Sequence, residues 1–260
     1  MGVKIIASDF DGTLNRDSGI SERDSGAIRR WQQAGNLFGL VTGRDIHDAA
    51  YIANDPECSV SLDFIICCSG SIVLDKSCNI IYDGSGEIPC LGRLAEHLLP
   101  YGPMWLGLCN RDRRYGLPVG QNSKRLPGET AEDGRHFLSK DDFCRLSSFS
   151  IIQTAFPTVE LARELTDITE AKFGEWIHIC MNNFYLDIVP RGGGKSTGIR
   201  ALAGLLGADT EDIITVGDNI NDVDMLSDFC GYAVSTGQEA AKAAARYVTE
   251  DIAEIISSRM

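Results

Sequence analysis

The sequence predicts an α/β fold in which a parallel-sheet domain, helices on both faces, is assembled from the two ends of the chain around an inserted α+β module. Three observations carry that expectation. Short apolar strands alternate with amphipathic helices from Lys4 to Cys68. The rhythm breaks between about Ser85 and Asp187, and it resumes after Gly194. Such alternation suits a parallel sheet, because each crossover between parallel strands needs a connection long enough to hold a helix.

The elements follow in order. Lys4–Ala7 continues an apolar run that stops at Ser8-Asp9, a strand and its exit. Ser21 opens an amphipathic stretch with Asp24 at capping-box spacing, and Gly35 closes it. Leu37–Val41 is a second strand, followed by Thr42-Gly43-Arg44 and a helix to about Asn54. Phe64–Cys68 is a third strand. Ser71–Leu74 and Ile80–Tyr82 flank the turn residues 75–79 and read as a hairpin. The insert holds a helix at Leu91–Leu99, a polar stretch with Gly and Pro from Asn110 to Lys140, and a strand at Phe149–Gln153. It ends with a helix at Val159–Phe173 and strands at Trp176–Met181 and Phe184–Val189. Beyond Gly194 come a helix to Leu206, a strand at Ile213–Val216, a helix near Val223–Leu226, a strand at Tyr232–Val234 and a helix at Glu239–Ala245. The expected limits are residues 1–83 and 189–260 for the discontinuous domain and 84–188 for the insert.

Composition narrows the function. The 260 residues allow one large domain or two moderate ones at roughly 100–200 residues each. Hydrophobic residues at 43% and charged residues at 23% sit near the globular average. No apolar run approaches the ~18 residues of a membrane span, and Asp9 arrives too early for a secretory signal. With 24 basic and 37 acidic residues the net charge is −13, which opposes nucleic acid and anionic membranes as partners. Nine cysteines with no C-x-x-C pair suit buried thiols in a reducing compartment, so a cytoplasmic location is expected.

Three clusters fall where strands end: Asp9-Phe10-Asp11-Gly12-Thr13, Thr42-Gly43-Arg44 and Gly217-Asp218-Asn219-Ile220-Asn221-Asp222. In an open α/β sheet ligands bind beyond the carboxyl ends of the strands, where all three would converge. Asp9, Asp11, Asp218 and Asp222 would repel one another there without a cation. An oxygen-only set suits Mg²⁺, and the lack of His and Cys argues against zinc. Any one of these pieces alone reads as a turn or a helix cap; their ordered combination is what points to a site.

The strand-terminal DFDGT, with Thr42, Lys195 and the Gly217-Asp218-x-x-Asn221-Asp222 segment downstream, resembles the haloacid dehalogenase (HAD) superfamily. The single large insert and the ending GDNINDVDML resemble its Cof-type phosphatases with a C2 cap, relatives of sucrose-phosphate phosphatases. The motifs mark about half the chain. The resemblance implies a Rossmann-like core with an α+β C2-type cap, and phosphoryl transfer in two steps. Asp9 would be the nucleophile that forms an aspartyl-phosphate, and Asp11 the acid and then the base. Thr42, Gly43, Lys195 and Asn221 would bind the phosphoryl group. Mg²⁺ would be held by Asp9, the Asp11 backbone carbonyl and Asp218, with Asn221 and Asp222 as ligands or as supports behind them. Thr13 would orient the loop, and Arg44 reads equally as a substrate contact or a helix-surface charge. The implied substrate is a small phosphorylated metabolite, foremost a sugar phosphate, with flavin and pyridoxal phosphates open. A monomer or weak oligomer is expected.

The sequence also departs from the pattern and admits rivals. Ser69-Gly70-Ser71 stands where Cof-type relatives usually carry Asn-Gly-Ala. Gly194-Lys195-Ser196 resembles the end of a P-loop, but the glycine that motif needs five positions earlier is Val189. A dehalogenase proper would not need Asp11 or the acidic 218–222 segment. A phosphomutase, or a regulatory protein with a weak site, remains an alternative reading. In the insert, seven basic and four acidic residues between Asn110 and Lys140 make a local +3, either a solvated surface or cations that steer an anionic substrate, Arg113 and Arg114 foremost. His47 and His178, Trp105 and Trp176 read first as surface or core residues.

Overall fold

The computed structural model describes residues 2–16, 19–55, 58–89 and 91–260. The opening stretch runs β1 (Ile5–Ser8), α1 (Glu22–Gln33), β2 (Leu37–Val41), α2 (Ile46–Asn54), β3 (Phe64–Cys67), β4 (Ile72–Asp75) and β5 (Ile80–Asp83). The middle stretch runs β6 (Gly86–Glu87), α3 (Leu91–Leu98), β7 (Trp105–Asn110), β8 (Arg113–Gly116), β9 (His136–Phe137), α4 (Lys140–Cys144), β10 (Ser148–Phe149), β11 (Ile151–Ala155), α5 (Val159–Phe173), β12 (Ile177–Asn182) and β13 (Tyr185–Pro190). The last stretch runs α6 (Lys195–Leu206), β14 (Ile213–Gly217), α7 (Val223–Asp228), β15 (Cys230–Val234), α8 (Glu239–Ala244), β16 (Tyr247–Thr249) and α9 (Ile252–Arg259).

The chain divides into two compact units, Met1–Tyr82 with Lys195–Met260, and Asp83–Gly194. The first holds an eight-stranded sheet in the order β16-β15-β14-β1-β2-β3-β4-β5. It is parallel from β16 to β3, and β4 turns back antiparallel to β3. Every residue of β1 is buried, as expected of a central parallel strand covered on both faces. Ile5, Phe64, Ile66 and Ile213 of the sheet pack on Ile199, Leu202, Met225 and Leu226 of the covering helices. Ser21 caps α1 by accepting from Asp24 N at 3.0 Å, a contact worth about 1 kcal/mol. The Asp24 carboxylate in turn accepts from Ala253 N at 2.9 Å and so ties α1 to α9.

The second unit is built on a six-stranded sheet in the order β12-β13-β11-β7-β8-β9. Leu94 and Leu98 of α3 and Leu165 and Phe173 of α5 bury against Leu108, Ile152, Ile179 and Ile188 of that sheet. Trp176 packs on this core, whereas Trp105 lies beneath the Arg135 guanidinium, 5.6 Å from its ring centre. His178 pairs with Glu170 at 2.9 Å, and His47 is exposed on α2.

The basic stretch is not the loose surface that its composition suggests. It contains two strands, β8 and β9, and most of its cations already have partners. Arg111 pairs with Asp83 at 2.5 Å, and Arg135 reaches Asp133 at 3.4 Å. Arg114 is buried and donates to the Asp133 carbonyl at 3.0 Å, so it is a fold contact, in contrast to the exposed Arg113. The reading of Arg113 and Arg114 as a steering pair is corrected on that ground. Among the described residues no disulfide joins the cysteines, and no helix is long and apolar enough to cross a membrane.

Candidate active site

Strand order fixes where the motifs meet. β1 lies between β14 and β2, with Ala7 opposite both Thr215 and Gly39. Asp9, Asp218 and Thr42 follow these three strands directly, so the central strand and its two neighbours deliver them to one edge of the sheet. Asp9 N donates to Val216 O at 2.8 Å and extends the β1–β14 ladder to the site itself.

Lys195, the first residue of α6, is wholly buried, and its Nζ lies 2.5 Å from Asp9 Oδ1 and 2.5 Å from Asp222 Oδ1. Asp222 spends its other oxygen on the backbone N–H groups of Asp218 and Asn219, at 2.9 and 3.0 Å. Thr13 donates to Asp218 Oδ1 at 2.9 Å. Two glycines make the close approach possible. A Cβ on Gly217 would stand 2.6 Å from Asp222, and one on Gly12 would stand 2.7 Å from Asp218 Oδ2. Gly12 also has φ +86°, a left-handed conformation that favours glycine.

The electrostatics follow from burial. Loss of water pushes the Asp9 carboxyl well above its ordinary range, with Lys195 opposing and Asp222 and Asp218 reinforcing the shift. Asp218 is raised by burial and then by Asp222. Lys195 is shifted upward, burial notwithstanding, because two carboxylates hold its proton. Ligand oxygens of Asp9, Asp218 and Asp222 all lie within 4.8 Å of one another. Three carboxylates against one ammonium leave excess negative charge in a buried place, which a divalent cation would neutralise. The buried Asn221 Oδ1, which has no hydrogen-bond partner, adds a further oxygen suited to a cation or a donor-bearing ligand. The set therefore fits a hard metal ion.

Asp11 and Arg44 meet in a different way. Arg44 Nε and Nη2 donate to the two oxygens of Asp11 at 2.9 and 2.8 Å, and the guanidinium lies 5.5 Å from the Phe10 ring centre. The Asp11 side chain thus stands apart from the carboxylate trio and faces the Thr42-Gly43-Arg44 loop. Thr42 is buried, and its Oγ1 accepts from Arg44 N at 3.1 Å; the cap of α2 is Asp45 instead. The loop after β3 braces this one: Ser69 N donates to Thr42 O and Cys68 N to Arg44 O. Cys68 and Ser69 both have positive φ, 52° and 47°, a left-handed backbone shape that is uncommon outside glycine.

Most of the residues singled out in the sequence are thus brought together: Asp9, Thr13, Lys195, Asp218 and Asp222 form one hydrogen-bonded group, with Thr42, Gly43 and Asn221 on adjoining loops. The Asp11–Arg44 pair was not legible, because its partners are far apart in sequence and neither carries a local signal for the other.

A family model described as haloacid dehalogenase-like hydrolase matches residues 6–255. The chain belongs to that family and is a hydrolase. Across 95% of its length it is 23% identical to a 5-amino-6-(5-phospho-D-ribitylamino)uracil phosphatase of Escherichia coli, covering 90% of that protein. It is 26% identical to a phosphoglycolate phosphatase of Aeropyrum pernix, again over 95% of this chain and 87% of the other. Among solved structures, a HAD/COF-like hydrolase from Plasmodium vivax superposes with a TM-score of 0.82 at 19% identity, covering 99% of this chain and 95% of that one. The HAD subclass IIB sugar phosphatase BT4131 does so with a TM-score of 0.78 at 20% identity, covering 99% and 97%. The fold is the HAD fold with its cap domain.

Proposed function

We propose that this hydrolase is a Mg²⁺-dependent phosphatase acting on a small phosphomonoester, foremost a sugar phosphate, through an aspartyl-phosphate on Asp9. The observation that carries the reading is the position of Lys195 Nζ between Asp9 and Asp222, with Asp218 beside them. A buried ammonium holds the nucleophile in place and offers its charge where a transferring phosphoryl group must spread its own. Full-length relatives named as phosphatases support the same class.

Asp9 supplies the carboxylate that bonds to phosphorus. Asp11 gives a proton to the departing alcohol and takes one from the water that releases phosphate. Arg44 holds both Asp11 oxygens, so this acid–base work requires the guanidinium to yield at least one of them. Thr42 and Lys195 hold the phosphoryl oxygens, with Gly43 and Asn221 beside them. Asp9 and Asp218, with the Asp11 backbone carbonyl, are the groups that would hold Mg²⁺. Asp222 serves behind them, since both its oxygens are taken by Lys195 and by backbone N–H groups. Bound Mg²⁺ supplies charge neutralisation among the carboxylates and polarisation of the phosphoryl group. The nine cysteines without a C-x-x-C pair suit a cytoplasmic enzyme.

A phosphate-release screen tests the reading. Sugar phosphates, phosphoglycolate, and flavin and pyridoxal phosphates are offered with Mg²⁺ and with excess chelator. Release from at least one, abolished by chelation, is expected; release unaffected by chelation contradicts the metal's part, and no release from any refutes the class.

A further inference from the structure

We propose that Asp224 and Asp228 are positioning residues for Lys195, gripping the first turn of its helix from outside that helix. The inference rests on the phosphatase reading only in taking Lys195 as part of the machinery.

Helix α6 begins at Lys195 directly after Gly192-Gly193-Gly194, and Gly194 has φ +143°. The first N–H groups of a helix have no partner within it and normally receive one from a Ser, Thr, Asp or Asn side chain at the cap. Three glycines have no such side chain to give. For Ser196 N the acceptor comes instead from α7, which also takes the Ser196 hydroxyl. Ser196 N donates to Asp224 Oδ2 at 3.0 Å, and the Ser196 hydroxyl donates to Asp228. Asp228 also pairs with Arg200 Nη2 at 3.0 Å, further along α6. Met225 N donates to Asp224 Oδ1 at 2.7 Å and fixes the rotation of that carboxylate. Asp224 and Asp228 stand four residues apart, on one face of α7, so a single helix face presents both acceptors.

This grip bears on chemistry because Lys195 and Ser196 are adjacent. The Lys195 side chain is a flexible stem whose ammonium meets Asp9 and Asp222. The start and phase of α6 set where that stem originates. Asp222 receives the ammonium, and two residues later Asp224 receives the next backbone N–H, so one short segment fixes both ends of the lysine. A helix start behind flexible glycines would otherwise fray, and Lys195 would lose register with Asp9. A misplacement of about 1 Å at a reacting group can lower a rate by about 10²-fold.

A double-mutant cycle tests this on the full chain with Mg²⁺ and p-nitrophenyl phosphate, below the melting point of each variant. Asp224→Ala is expected to lower kcat by roughly 10-fold to 10²-fold while KM changes little. Asp224→Asn, which keeps an acceptor for Ser196 N, recovers most of the loss; Asp228→Ala shows a smaller effect in the same direction. In a Lys195→Met background, Asp224→Ala is expected to change kcat no further, because residues that act through one another are not additive. Affinity for inorganic phosphate, read by calorimetry without turnover, falls in Asp224→Ala and recovers in Asp224→Asn. Equal losses from Asp224→Ala in both backgrounds would mark a general structural role and overturn the proposal. Wild-type kcat in Asp224→Ala beside an impaired Lys195→Met overturns it alone; wild-type kcat in Lys195→Met takes Lys195 out of the machinery and this inference with it, whereas no turnover by the wild type removes the phosphatase reading itself.

Discussion

Replacing Lys195 by Met isolates the electrostatic account of the site. The side chain is wholly buried and its ammonium touches two carboxylates, so water cannot screen the loss. Removing one partner from such a buried arrangement typically costs about 3–5 kcal/mol, because the remaining charges lie buried and uncompensated. At about 2–4 °C per kcal/mol for a unit of this size, the melting midpoint should fall by roughly 6–20 °C. The sign of the pH dependence follows from the same charges. Without the ammonium, burial and mutual repulsion hold Asp9 and Asp218 higher still above their unfolded values. The folded variant then binds more protons than the unfolded chain, so protonation favours folding at low pH and that help is lost as pH rises. The gap in melting midpoint between variant and wild type should therefore narrow as the pH is lowered from about 8 to about 5. Calorimetric melts of both proteins across that range, with chelator present, provide the measurement. A drop smaller than about 2 °C, or a gap that does not change with pH, would refute the claim that Lys195 compensates a buried carboxylate cluster.

Further outcomes follow from the same geometry. Asp11→Asn should fold and still bind Mg²⁺, but lose about 10²–10⁴-fold in the first step with poor leaving groups and less with p-nitrophenyl phosphate; equal losses would deny the acid role. Gly12→Ala should weaken Mg²⁺ binding and activity together, because its Cβ would stand 2.7 Å from Asp218 Oδ2 and φ is +86°; calorimetric titration with Mg²⁺ checks this, and unchanged affinity contradicts it. Arg114→Ala should lower the melting point of the protein, whereas Arg113→Ala should leave it unchanged, since Arg114 alone of the two is buried; equal melting points for the two variants would show that burial of Arg114 contributes nothing.

The parts of the fold that could be read from sequence were those whose signal is local. Apolar runs such as Ile5–Ser8 and Phe64–Cys67 stop at polar turns, and Ser21 with Asp24 marks a helix start by spacing alone. The site was legible for the same reason: its carboxylates stand directly after strands, and strand exits in such a sheet share one edge. The middle of the chain was harder. β8 and β9 are short, rich in Arg and His, and gain their strand character only from pairing with β7 and with each other. β16 escaped because Tyr247–Thr249 is a short edge strand, with its first two residues exposed. Charged residues misled most. Arg114 looks like any surface cation until a fold buries it, and Asp224 and Asp228 look like the solvent face of a helix until Ser196 is placed beside them. Side chains of this kind take their role from partners distant in sequence, which no local pattern encodes.

The most direct test of the central claim is to look for the phosphoryl-enzyme itself. The protein is mixed with Mg²⁺ and its best phosphomonoester, quenched in acid during turnover, digested and weighed by mass spectrometry. The account predicts one phosphoryl group on the peptide that contains Asp9, located at Asp9 by fragmentation and absent from Asp9→Asn, which should fold yet release no phosphate. Phosphate release sustained by Asp9→Asn, or a phosphoryl group found on another residue, would contradict it.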